Sequence, residues 1–167
     1  MKLTAQEEYG LRCLLRIAGQ WPEKSLTIPE VSRLEGISAA YAGKILQILR
    51  QGGLVKSVRG QIGGYSLAAP PEKIVVRDVL DLLGGRVYEE GFCRSHKGNG
   101  RACTHSTDCS VRSLWRTIQS ALDGVLGKTT LKDLQRKEGE MTFWLRELLP
   151  LDPRAVPPRP TAPDQRA

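Results

Sequence analysis

Two helix-opening residues, Thr27 and Ser38, bracket a short apolar-patterned stretch that Gly36 breaks, and this constrains the chain more than any other feature. Thr27 caps a helix opened by Ile28 and Pro29, with Val31 and Leu34 expected to face inward. Ser38 caps a second helix from Ala39 to about Arg50, whose Ala42, Ile45, Leu46 and Leu49 recur at helical spacing. Helix, tight glycine-containing turn and second helix make a helix-turn-helix. Its outward positions Ala40, Tyr41, Lys44 and Gln47 combine short side chains for close approach with groups that reach phosphates or base edges.

The next residues extend the pattern. Gly52 and Gly53 end the helix, Leu54–Val58 reads as a strand, and Arg59 to Gly64 is a glycine-rich turn. Tyr65–Ala68 returns, so the segment predicts a β-hairpin with Arg59 at its tip. A basic tip of this kind suits a narrow minor groove, where negative potential is concentrated. The expected DNA contacts are Ser38, Ala39, Ala40, Tyr41, Lys44, Gln47 and Arg50 of the helix, with Lys56, Arg59 and Gly60 of the wing. A net charge of +7 agrees with a polyanionic partner.

Upstream, Thr4 with Glu7 three residues later forms a capping box for a helix reaching Ala18, striped by Leu11, Leu14, Leu15 and Ala18. Cys13 reads as a packed thiol in that helix. Downstream, Val76 to Leu83 predicts a short helix. From Ser110 a long one carries Val111, Leu114, Trp115, Ile118, Leu122 and Val125 on one stripe. Such a stripe, following a domain already closed on itself, calls for a partner: the same helix of a second subunit, with packing against its own domain as the alternative. Thr130 to Leu134 starts another short helix, and Met141 to Leu149 adds an amphipathic turn or two. Six of the ten prolines fall from Pro150 onward, which marks a disordered tail.

Between the short and long helices lie Cys93, Cys103 and Cys109 in a basic, glycine-containing loop. The N-terminus lacks the pattern of a signal peptide and no apolar run reaches the length of a membrane span. The expected compartment is therefore the reducing cytoplasm, with no membrane partner. There, clustered cysteines are more often metal ligands or redox groups than disulfides. Soft thiolates suit an iron–sulfur cluster or zinc. Three alternatives stay open: a structural zinc in a Cys3His site, a metal-free thiol switch, and an electron-transfer or protein-interaction module. Catalysis is not expected, since the chain has no nucleophile–base pair outside the cysteine loop and no phosphate-binding glycine loop.

Taken together, Met1-Lys-Leu-Thr4, Tyr9-Gly-Leu11, Ile37-Ser-Ala-Ala-Tyr41 and Gly53-Leu-Val-Lys-Ser-Val-Arg-Gly60 resemble the bacterial iron–sulfur-linked winged-helix regulators of the IscR and NsrR type. Gly63-Gly-Tyr-Ser-Leu67, the three cysteines, Leu114-Trp-Arg116 and Thr130-Leu-Lys-Asp-Leu134 carry the resemblance to about residue 137. It implies a mainly α fold with a small β-hairpin wing: a winged helix-turn-helix plus a long dimerisation helix. It also implies a homodimer that binds a double-stranded DNA operator, as a transcriptional repressor. Its affinity would be set by an iron–sulfur cluster, 2Fe–2S or 4Fe–4S, that senses nitric oxide, redox or iron–sulfur status. The implied ligands are Cys93, Cys103 and Cys109, with a fourth that varies between members. Glu8 occupies the acidic position that acts from the partner subunit; His105, then His96, are the alternatives, because Arg112 stands where some members place a histidine. Two departures are a first cysteine gap enlarged by Lys97 to Arg101, and Gly43 within the recognition helix. The expected organisation is a winged domain over 1–85, a cluster loop over 86–109, a dimerisation helix region over 110–137 and an extension over 138–167.

Overall fold

A computed structural model describes residues 3–60, 63–97, 99–100, 103–105 and 107–148. Among these residues, seven α-helices and one hairpin follow in order: α1 (Ala5–Ala18), α2 (Ile28–Glu35), α3 (Ala39–Gln51), β1 (Val55–Val58), β2 (Gly64–Leu67), α4 (Val76–Leu83), α5 (Phe92–Ser95), α6 (Ser110–Leu126) and α7 (Glu138–Leu148). The expected architecture, mainly helical with a small wing, is the one observed.

Local chemistry sets the helix starts. The Thr4 side chain accepts from the Glu7 amide while the Glu7 carboxylate accepts from the Thr4 amide at 2.8 Å. Thr27 and Glu30 repeat this reciprocal cap at α2. Ser38 accepts from the Tyr41 amide at 3.2 Å and opens α3. Gly36, at φ 66°, supplies the left-handed turn between α2 and α3 that a side chain would resist.

One core joins these elements. Cys13, Leu14 and Ile17 of α1 meet Val31 of α2 and Ala42, Ile45, Leu46 and Leu49 of α3, with Val55 and Leu67 of the wing and Val79 and Leu83 of α4. On α1 the buried line is centred on Cys13, Leu14 and Ile17, while Leu11 and Leu15 are half-buried beside it. On α2, Leu34 lies at the surface and Glu35 takes the inward position instead, because Arg12 and Arg16 of α1 neutralise it there. Leu131, after the long helix, is completely buried in the same core. Its amide donates to the Ile74 carbonyl at 2.8 Å, and the Val76 amide donates to the Thr129 carbonyl at 2.9 Å. The chain thus leaves the winged unit through the cysteine segment and α6, then returns to it at 129–131.

The wing pairs Val55 with Leu67 and Val58 with Gly64, antiparallel. A further antiparallel bridge links Leu26 and Tyr65, whose amides and carbonyls bond reciprocally at 2.7 and 3.0 Å. Gly64 is needed at that seam, since a β-carbon there would meet the Leu26 carbonyl oxygen at 2.6 Å. The segment expected to form a short helix from Thr130 gives only a 3-10 turn over Asp133–Gln135. Thr130 and Asp133 lock its start, the Thr130 amide donating to Asp133 at 3.0 Å. The proline-rich tail from Pro150 lies outside the described residues.

Candidate functional site

Two groups of residues make up the candidate site, and the first is the expected recognition face. Ser38, Ala39, Ala40, Lys44, Gln47 and Arg50 are all exposed. Ala40, Lys44 and Gln47 fall on one side of α3 by their four- and three-residue steps. Opposite them Ala42, Ile45, Leu46 and Leu49 are fully buried, so packing fixes the rotation of α3 and which side chains it presents. Tyr41 differs from expectation. It is half-buried and meets the Tyr9 ring of α1 edge-on, with centroids 6.0 Å apart. Lys56 and Arg59 are exposed on the wing, and Gly60, at φ 113°, begins its tip. Gln61 and Ile62, within the expected tip, lie outside the described residues.

Behind this face sits a charge network that hydrophobic patterning does not reveal. Glu35 is buried, yet its carboxylate receives Arg12 at 2.6 Å and also Arg16. The Arg12 guanidinium lies over the Tyr9 ring at 5.1 Å. Hydrogen bonding to Glu35, then its charge, raises the Arg12 pKa further. The only sequence signal was a carboxylate at the inward spacing from Val31, with two arginines one turn apart on α1.

The second group is the cysteine segment. Cys93, Cys103 and Cys109 are free thiols, each half-buried. Cys93 stands on the single turn α5, its sulfur 3.5 Å from the Tyr88 hydroxyl. Cys109 is the N-cap of α6, and its sulfur accepts from the Arg112 amide at 3.4 Å. His96 stacks on Phe92 with centroids 3.9 Å apart, and its Nδ1 is 3.1 Å from both Ser95 Oγ and the Phe92 carbonyl. His105 is exposed. Glu8 is exposed on α1, with its carboxylate 3.9 Å from Arg12.

In kind, this donor set suits a soft metal or an iron–sulfur centre: three thiols, none in a disulfide, on one short segment. The geometry does not gather them. Among the described residues, no three His, Cys, Asp or Glu side chains stand together as a metal-holding group. Arg101, Ala102 and Ser106, inside the loop, are not described. The fourth cysteine behaves as expected of a packed thiol: Cys13 is fully buried, and desolvation pushes its pKa up to about 12.

The long helix is sparsely covered. Only Gln119 of its seventeen residues is buried, while Val111 is 59% exposed, Leu114 56% and Trp115 38%. Beside it, Val87, Phe92 and Trp115 share a groove of about 440 Å³ with Thr4 and Glu7 at the start of α1. No described helix is long and apolar enough to cross a membrane.

Comparison with known proteins agrees with this arrangement. Residues 3–137 match the Rrf2 family, described as an iron-dependent transcriptional regulator. Protein rrf2 of Nitratidesulfovibrio vulgaris is 34% identical over 141 residues, covering 81% of this chain and 88% of the relative. The regulator IscR of Aliivibrio salmonicida is 32% identical, covering 80% and 77% respectively. The solved structure of CymR, the global cysteine regulator of Bacillus subtilis, superposes with a TM-score of 0.66 at 28% identity, covering 81% of this chain and 96% of that one. These relatives are transcriptional regulators, not enzymes. The chain belongs to the Rrf2 family of winged-helix, DNA-binding transcriptional regulators.

Proposed function

We propose that the protein is a homodimeric repressor of the cytoplasm whose operator affinity is governed by an iron–sulfur cluster on Cys93, Cys103 and Cys109. Glu8 of the partner subunit is the fourth ligand, with His105 as the alternative. One observation carries this reading. Three half-buried free thiols occupy the segment between the winged unit and α6, and the last of them caps α6 itself. When bound, such a cluster supplies an iron centre open to nitric oxide or oxidant.

The chain's own residues supply the rest of the mechanism. The exposed apolar side of α6, with Val111, Leu114 and Trp115, pairs with its copy in a second subunit. Dimerisation sets two α3 helices at a fixed separation, which must be near 34 Å to enter successive major grooves. Lys44, Gln47 and Arg50 then meet one groove, and Lys56 and Arg59 reach the adjacent minor groove. Because the cysteine segment joins α4 to α6, a change in how its thiols are held alters that separation and weakens both half-sites together.

A second reading has its own support. Relatives include CymR of Bacillus subtilis, 29% identical over 134 residues, and a solved structure is of Staphylococcus aureus CymR in an oxidized form. The three thiols could therefore act without metal, as a reversible oxidation switch. Iron and sulfide analysis with an absorption spectrum, on protein prepared without oxygen, separates the two readings. The cluster reading expects coloured, iron-containing protein that loses operator retardation on titration with nitric oxide, and a colourless Cys93→Ser/Cys103→Ser/Cys109→Ser variant. Colourless wild-type protein whose DNA binding follows thiol oxidation favours the second.

A further inference from the structure

Gln119 is the one buried residue of α6, and it is polar. Both ends of its side-chain amide are hydrogen-bonded. The Tyr88 amide donates to Gln119 Oε1 at 3.0 Å, and Gln119 Nε2 donates to Asp123 Oδ1 at 3.0 Å. The other Asp123 oxygen accepts from Arg86, whose second terminal nitrogen donates to Asp81 of α4 at 3.0 Å. At the opposite end, the buried Tyr88 reaches Cys93 through its hydroxyl. Two sets of polar contacts, joined by the covalent frame of Tyr88 between its hydroxyl and its amide, therefore link Cys93 to Gln119 and Asp123, and through Arg86 to Asp81.

We propose that Tyr88 and Gln119 are positioning residues that transmit the placement of the Cys93 sulfur to α6 and, through Arg86, to the end of α4. This rests on the reading of Cys93 as a sensing thiol, whether it holds a cluster or acts alone. The physical basis is that buried polar groups must keep their partners. If Cys93 is drawn toward another partner, the Tyr88 hydroxyl follows it or loses its bond. The Tyr88 backbone cannot shift without disturbing the Gln119 amide group, because that group is buried and bonded on both sides. Asp123 and Arg86 carry the displacement onward to Asp81, on a helix whose Val79 and Leu83 lie in the core of the DNA-reading unit. The arrangement ties one sulfur to both the pairing helix and the winged unit without passing through the recognition helix.

The test uses the reduced full-length protein and a duplex that the wild-type protein selects from a random library. Cys93→Ser is combined with Tyr88→Phe in one double-mutant cycle and with Gln119→Ala in another, each read as the Kd for that duplex. The proposal expects non-additivity of about threefold or more in both cycles. Amide exchange across residues 117–124 is expected to rise in Cys93→Ser and in Tyr88→Phe, with no further rise when they are combined. Tyr88→Phe keeps the buried ring, so it remains informative if Gln119→Ala fails to fold. Multiplicative effects in the Tyr88 cycle overturn the relay and leave the sensing reading standing. A Cys93→Ser variant with wild-type affinity and exchange overturns both.

Discussion

The Arg12 guanidinium lies 2.6 Å from the Glu35 carboxylate, and the Glu35 side chain is only 1% exposed while Arg12 is 43% exposed. Burial is thus carried by the acid, and the two arginines remain able to rehydrate. Arg12→Ala or Arg16→Ala alone leaves the carboxylate one cationic partner and is expected to lower Tm modestly. The double substitution strands a buried charge, so its loss of Tm should exceed the sum of the two single losses by several degrees. Calorimetric unfolding of the three variants checks this, and additive losses would refute it.

Cys13 gives a pH dependence with a definite sign. Its thiol ordinarily ionises near pH 9 but is held back to about 12 by burial. Between those values the unfolded chain releases a proton that the folded chain retains, so stability present below pH 9 falls as pH rises toward 12. Cys13→Ala should flatten this part of the urea-unfolding profile. At neutral pH, iodoacetamide followed by peptide mass analysis should label Cys93, Cys103 and Cys109 in the folded, reduced and metal-free protein but Cys13 only after unfolding.

Two glycines predict opposite outcomes. Gly43 lies inside α3, and an added β-carbon would find only the Ile28 δ-methyl, at an ordinary 3.6 Å. Gly43→Ala should therefore stabilise the fold by about 0.5–1 kcal/mol, the difference in helix propensity. Gly64→Ala sets a methyl against the Leu26 carbonyl and should cost about 1–3 kcal/mol through backbone displacement. Urea midpoints at fixed pH measure both.

Operator binding should weaken by orders of magnitude between about 50 and 200 mM salt if several phosphates are contacted. Lys44→Ala and Arg59→Ala should each reduce affinity and flatten the slope of log K against log salt by about one unit if each neutralises one phosphate. Fluorescence anisotropy over a salt series reads this directly. An unchanged slope in either variant would remove that residue from the backbone contacts.

Helices α1 to α4 were legible because strong local signals agree with their packing. Capping side chains mark the starts of α1, α2 and α3, Gly36 marks the turn, and Ala42, Ile45, Leu46 and Leu49 mark the buried side of α3. What escaped was polar burial. Leu34 reads as core and Glu35 gives no signal, since apolar spacing cannot show that two arginines from another helix will neutralise a carboxylate. Gln119 was hidden in the same way within a stripe of larger apolar residues, and Tyr88 sat in a segment with no period at all. Tyr41 was read as facing outward because its attachment to Tyr9 is a tertiary contact. The cysteines were legible as a donor set, but their separation in space depends on a loop whose course no repeat specifies.

Cys109 ends the loop and, with the same sulfur, accepts the Arg112 amide in the opening turn of α6. A reagent that occupies that sulfur competes for the lone pairs that receive the amide, so chemistry at the loop and the hold on the rod's first coil meet at one atom. At that end of the molecule, fastening and loop are wound into the same coil.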